Sequence, residues 1–156
     1  MAERNIGIVS CSGEDCLGGT ISRLATRKML EERPDDSVTI CLPLYLAGGE
    51  EERSFAKDYP TISVDGCSKC CAKCATEKFS GKVTAAIDVS ELIGKEAAEA
   101  GALSTKNLTD THREMVNWVA AEIKTKIDDI LKVAEANGET SEKKPASGCG
   151  CGCGCR

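Results

Sequence analysis

Four strand-length runs of aliphatic and β-branched residues, spaced so that helix-forming stretches fall between them, constrain the fold of this chain most tightly. The runs are Asn5 to Ser10, Ser37 to Leu42, Thr61 to Val64 and Lys82 to Val89. The first, N-I-G-I-V-S, is apolar along its length, the pattern of a strand covered on both faces. After it, Gly18 to Arg33 sets Ile21, Leu24, Ala25, Lys28 and Leu30 at roughly helical spacing, and Pro34 marks the end. Leu44 to Glu52 reads as a glycine-bearing loop, and Cys67 to Phe79 as the helix after the third run. Strand and helix alternating at these intervals predict an α/β fold. The expected architecture is a small open, mostly parallel sheet of about four strands with helices on both faces, Rossmann-like, with right-handed crossovers.

Glu91 to Leu103 is alanine-rich and partly helical, interrupted by Gly94 and Gly101. Thr109 to Asn137 is the clearest helix. It carries Thr and Asp caps, sets Met115, Val119, Ile123, Ile127, Ile130 and Ala134 on one face, and stops at Asn137-Gly138. Such a stripe predicts core packing or a partner helix. The expected organisation is an α/β domain over 1–137, a flexible linker over 138–148 carrying Pro145, and a Cys-Gly tail over 149–156. The tail, C-G-C-G-C-G-C-R, has too little apolar surface to fold alone and reads as a tethered chelator.

The chain has 156 residues, a net charge of −5, and basic residues that form no block. A nucleic-acid or anionic-membrane surface is therefore not expected. No apolar segment follows Met1, and no run approaches the roughly 20 apolar residues of a membrane span, so the chain reads as cytoplasmic. In that compartment 11 cysteines, odd in number and tightly spaced, point to metal or redox chemistry rather than a disulfide scaffold.

Four of them, Cys67, Cys70, Cys71 and Cys74, follow the third run directly. Packing as small hydrophobes accounts for one such residue but not for the cluster. If the segment is helical from Gly66, the thiols fall at i, i+3, i+4 and i+7 and line one face. Cys67 and Cys70 would then sit in the first turn, where free N–H groups, the helix dipole, Lys69 and Lys73 lower a thiol pKa. The isolated cysteines add to this. Cys11 follows the first strand, Cys41 ends the second, and Cys67 follows the third, so three strands deliver thiols to the carboxyl edge where open α/β sheets bind ligands. With Cys71 one helical turn beyond Cys67, four thiolates would make a tetrahedral sulfur site suited to zinc or an iron–sulfur centre.

Other motifs carry less. Gly13 to Thr20 has the spacing of a phosphate-binding loop, but Gly19 stands where the lysine belongs, leaving at most a backbone anion nest. Cys11 begins the loop as in thiol phosphatases, yet Leu17 stands where their arginine would. Asp65 reads as a turn residue whose carboxylate caps the following helix, and Asp88 as structural too. His112, the only histidine, reads as a solvated helix residue, and no residue is assigned a catalytic role.

The combination of C-S-G after the first strand (Cys11 to Gly13), Gly18 in the turn, Cys41-Leu42, and D-G-C-x-x-x-C-A-K (Asp65 to Lys73) resembles the DGC-domain family of zinc-binding proteins. The resemblance covers about residues 5–105. It implies four cysteine ligands at Cys11, Cys41, Cys67 and Cys71. Unlike that pattern, this chain has further thiols at Cys16, Cys70, Cys74 and in the tail, expected to act as neighbouring or exchange ligands. The reading is a metal-binding protein for zinc or another soft metal, engaged in storage or trafficking with a metal- or sulfur-accepting partner protein. Two alternatives stay open. One is a thiol redox or persulfide carrier working through the C-x-x-C pairs Cys67–Cys70 and Cys71–Cys74, and the other is an iron–sulfur protein.

Overall fold

A computed structural model describes residues 5–137; the linker and the Cys-Gly tail lie outside the described residues. Four strands, β1 (Ile6–Ser10), β2 (Ser37–Thr39), β3 (Thr61–Asp65) and β4 (Ala85–Asp88), form one sheet in the order β2-β1-β3-β4. All neighbours are parallel, with Ile8 beside Thr39 on one side and Ile62 on the other, and Val64 beside Ile87. The chain steps from β1 outward to β2, then returns past β1 to β3. The reversal of strand order therefore falls between β1 and β3, where the loops leaving their carboxyl ends face each other.

Both faces are covered. Helices α1 (Leu17–Glu32) and α8 (Asp110–Ala136) bury one face of the sheet, Ile6, Ile8, Ile62, Val64 and Ile87, under Ile21, Met29, Val119, Ile123 and Ile127. Each fully buried aliphatic side chain there contributes roughly 1.5–3 kcal/mol. The predicted stripe of α8 is core: Val119, Ile123, Ile127 and Ala134 are buried, and Met115 and Ile130 pack beside them. Arg33, just past α1, locks this layer by bonding Asp36 (2.8 Å) and Asp128 of α8 (2.9 Å). Those two carboxylates, Asp128 first, raise its pKa further.

The other face holds Val9, Cys11, Tyr45, Phe55 and Ala72. It is covered by α2 (Leu44–Ala47), α3 (Glu50–Arg53), α4 (Phe55–Asp58) and α5 (Cys71–Phe79). The stretch expected to be a glycine-bearing loop thus contains helical turns, because Tyr45 and Phe55 bury themselves against the sheet. β2 ends at Thr39 rather than Leu42, as befits an edge strand with one neighbour. After β4, α6 (Val89–Ile93) and α7 (Lys95–Ala98) are divided at Gly94, whose φ of 91° only glycine adopts readily. Among the described residues no helix is long and apolar enough to cross a membrane.

Candidate functional site

The crevice between β1 and β3 is walled by two loops in backbone contact. After β1 the chain turns at Gly13, at φ 77°, where a β-carbon would lie 2.6 Å from the Gly19 carbonyl oxygen. Cys16 precedes α1 in extended conformation and forms an isolated antiparallel bridge with Gly101, while Leu17 N–H donates to the Ala100 carbonyl at 2.8 Å. From the other side Gly66 presses on the first turn of α1. A β-carbon at Gly18 would overlap the Gly66 carbonyl, and one at Gly66 would overlap the Gly19 amide. The glycines that gave this loop its phosphate-binding spacing thus serve close backbone packing, Gly13 against Gly19 within the loop and Gly18 and Gly19 against Gly66.

Asp65, at the end of β3, is buried, and its carboxylate accepts the N–H groups of Ala72 (2.6 Å) and Lys73 (3.1 Å). The capping expectation is borne out, and it overturns another. In a helix running from Cys67 these two N–H groups would bond the carbonyls of Ser68 and Lys69. Asp65 takes them both, so Cys67 to Cys70 forms a turn closed by Cys70 N–H to the Cys67 carbonyl (3.1 Å), and α5 begins only at Cys71. Cys70 sits in the left-handed region at φ 49°, the only non-glycine residue with positive φ among the described residues. The four cysteines therefore do not share one helix face.

The turn splits them. Cys71 lies near Cys11 and Cys67, and Cys67 lies against Cys16, which also feels Cys11. Cys70 instead faces Asp65, Asp88 and Cys74. Cys11, Cys16, Cys67 and Cys71 thus form one neighbourhood at the crevice, and Cys70, near the Asp65 and Asp88 carboxylates, pairs with Cys74. Cys41 lies on the loop after β2, exposed, and no described side-chain interaction joins it to the other thiols. Its carbonyl closes a turn with Leu44 N–H at 2.9 Å.

Burial is the leading cause that raises the pKa of Cys16, ahead of the Cys67 and Cys11 charges, while the Gly19 N–H at the start of α1 works against it. Burial also raises Cys71, followed by Cys11 and Asp65, with its own N–H opposing. Cys70 is raised by burial and then by Asp65 and Asp88, which corrects the lowered pKa expected for it: outside the helix, it meets carboxylates instead of a dipole. Cys11 is buried with Sγ 3.2 Å from Ser22 Oγ. Since the Ser22 hydroxyl donates to the Gly19 carbonyl (2.8 Å), the Cys11 thiol donates to Ser22. At the rim the Lys69 ammonium bridges to Asp15 at 3.0 Å, tying the two loops across the crevice.

Asp88 caps α6, accepting from Ser90 N–H (2.9 Å) and its hydroxyl (2.6 Å). His112 is engaged at the start of α8, where its Nδ1 accepts the Thr109 N–H at 3.1 Å. As placed, no three Cys, His, Asp or Glu side chains among the described residues stand together as a formed metal site. In kind, four neighbouring thiols are a zinc donor set. Cys16 was legible only as a surplus thiol; its position directly before the first helix, facing the β3 loop, is what brings it in.

A parallel α/β sheet with thiols gathered beyond its carboxyl edge defines a class of protein whose site belongs to the loops rather than to the core. Residues 7–116, more than two thirds of the chain, match the family model of the DGC domain, and the chain belongs to that family. Neither a curated protein nor a solved structure matches it.

Proposed function

We propose that this protein binds a soft metal ion, zinc foremost, through thiolates at the β1/β3 crevice. The observation that carries the reading is the pairwise nearness of thiols from two loops that glycine contacts hold together, Cys67 beside Cys16 and Cys11 near both Cys16 and Cys71. Cys11, Cys67 and Cys71 belong to the ligand set of the family resemblance. The fourth donor is Cys16, through its contact with Cys67, in place of Cys41, for which no contact with the other thiols is described. A bound zinc ion would hold these sulfurs deprotonated. Burial and the neighbouring thiols raise the cost of that charge at Cys16 and Cys71, so the ion itself must supply most of the stabilisation, with the Gly19 N–H facing Cys16 and the Cys71 N–H facing its own sulfur offsetting part of it. Cys70 and Cys74 lie close enough in sequence to act in exchange, and the tail cysteines extend the reading to metal storage or delivery to a metal-accepting protein. A cluster that must remain reduced fits the cytoplasm.

Elemental analysis of protein purified anaerobically tests this. About one equivalent of zinc is expected, falling strongly in Cys11→Ser and Cys71→Ser and little in Cys41→Ser. Less than about half an equivalent of any metal overturns the reading. Iron with visible absorbance replaces zinc by an iron–sulfur centre on the same thiols.

A further inference from the structure

Cys16 and Cys67 are held in a relation that the metal reading does not require. Three separate features fix it. The backbone contact of Gly18 with Gly66 sets the two loops at a constant separation, two residues after one thiol and one residue before the other. The bridge between Cys16 and Gly101, with Leu17 N–H on the Ala100 carbonyl, keeps Cys16 extended and facing the β3 loop. The Lys69–Asp15 ion pair spans the rim, placing an ammonium beside both sulfurs. Both cysteines are partly exposed, so a small reagent in water reaches them, whereas Cys11 is buried. Lys69 stands on the Cys67 turn, two residues on, so an incoming peroxide meets the Cys67 sulfur beside the ammonium.

We propose that Cys16 and Cys67 are a dithiol oxidised by hydroperoxides to a disulfide linking the β1–α1 and β3–α5 loops. In the first step the Cys67 thiolate attacks the peroxide, the O–O bond breaks, and Cys67 sulfenic acid and hydroxide form; hydroxide takes the proton that Cys67 released. In the second step the Cys16 sulfur attacks the sulfenic sulfur, the S–O bond breaks, and the departing hydroxide leaves as water with the Cys16 proton. The two thiols lose two electrons and two protons, and one hydrogen peroxide becomes two waters. The Lys69 ammonium stabilises the anionic species at both stages. The disulfide withdraws Cys67 from any metal, so the site would open under peroxide and close again when a dithiol reductant restores it.

The test uses the full-length chain, treated with hydrogen peroxide at no more than one equivalent and quenched with a thiol alkylator. Trypsin with a glutamate-specific protease places Cys16 alone in the peptide Asp15–Arg23 and Cys67 alone in Asp58–Lys69. The expected result is these two peptides joined, in at least roughly tenfold excess over any other cross-link among the core cysteines. In Cys16→Ser the cross-link is lost and Cys67 accumulates as a sulfenic acid trapped by dimedone, with far-UV circular dichroism showing the fold retained. A dominant pairing of Cys67 with Cys71 or of Cys16 with Cys11 overturns the proposal, as does the absence of a dimedone adduct on Cys67 in Cys16→Ser. The cross-link is read by mass in metal-free protein as well, so its failure is separate from a failure to find zinc.

Discussion

Cys70 occupies a backbone region that a β-carbon disfavours by roughly 1–2 kcal/mol, and it is held there because Asp65 anchors the next two amides. Replacing it with glycine removes that strain at some cost in unfolded-chain entropy. Cys70→Gly is expected to leave stability unchanged or raise it by up to about 1 kcal/mol in urea denaturation; a loss beyond about 1 kcal/mol would mean that the thiol itself holds the turn. Tyr45 makes a separate case. It is fully buried, and its hydroxyl lacks a well-formed hydrogen bond, so burial raises its pKa while the nearby Thr76 and Ser80 oppose this weakly. A pKa raised by folding means that the folded state keeps the proton longer than the unfolded one. The resulting stability is full below the ordinary tyrosine value and is lost as pH rises through the raised one. In Tyr59→Phe, where Tyr45 is the sole tyrosine, ultraviolet titration should show tyrosinate appearing above the ordinary range and together with unfolding. Of these residues, Asp65 was legible because an Asp-Gly step before a helix signals a cap. The left-handed Cys70 was not, because nothing local to it requires that conformation.

Elements were legible where burial follows a period. The α8 stripe declares itself because a helix lying on a sheet must turn the same side inward along its whole length. Ile123→Ala is expected to lower stability by about 2–5 kcal/mol, by transfer and cavity terms together. Trp118→Ala, at a site 60% exposed on the same helix, should stay within about 0.5 kcal/mol. Equal effects in denaturant titrations would contradict the burial of one face. The start of α5 was misread because its cap comes from a carboxylate outside the helix, delivered by β3. The short helices between β2 and β3 escaped notice for a related reason: they form where Tyr45 and Phe55 find a sheet face, and their own sequence has no sustained period.

At the scale of the whole molecule, the order β2-β1-β3-β4 decides which loops meet, and the proposed metal function gives the Cys-Gly tail a testable part in release. Under that proposal the four tail thiols of Cys149, Cys151, Cys153 and Cys155, outside the described residues, would serve as an intramolecular acceptor. Truncation after Gly148 should slow metal transfer to a chromogenic chelator several-fold while leaving the core occupancy intact; unchanged kinetics would remove the tail from the pathway. The sequence by itself determined the α/β alternation, the long packing helix, and a wealth of sulfur near strand ends, because periodicity and composition are local properties of the chain. Only the tertiary structure decided that Cys16 stands with Cys67 and that Cys70 meets carboxylates instead of a helix dipole. Those outcomes depend on strand order and on two glycine-lined loops touching, and such contacts between distant residues leave no periodic trace in the sequence.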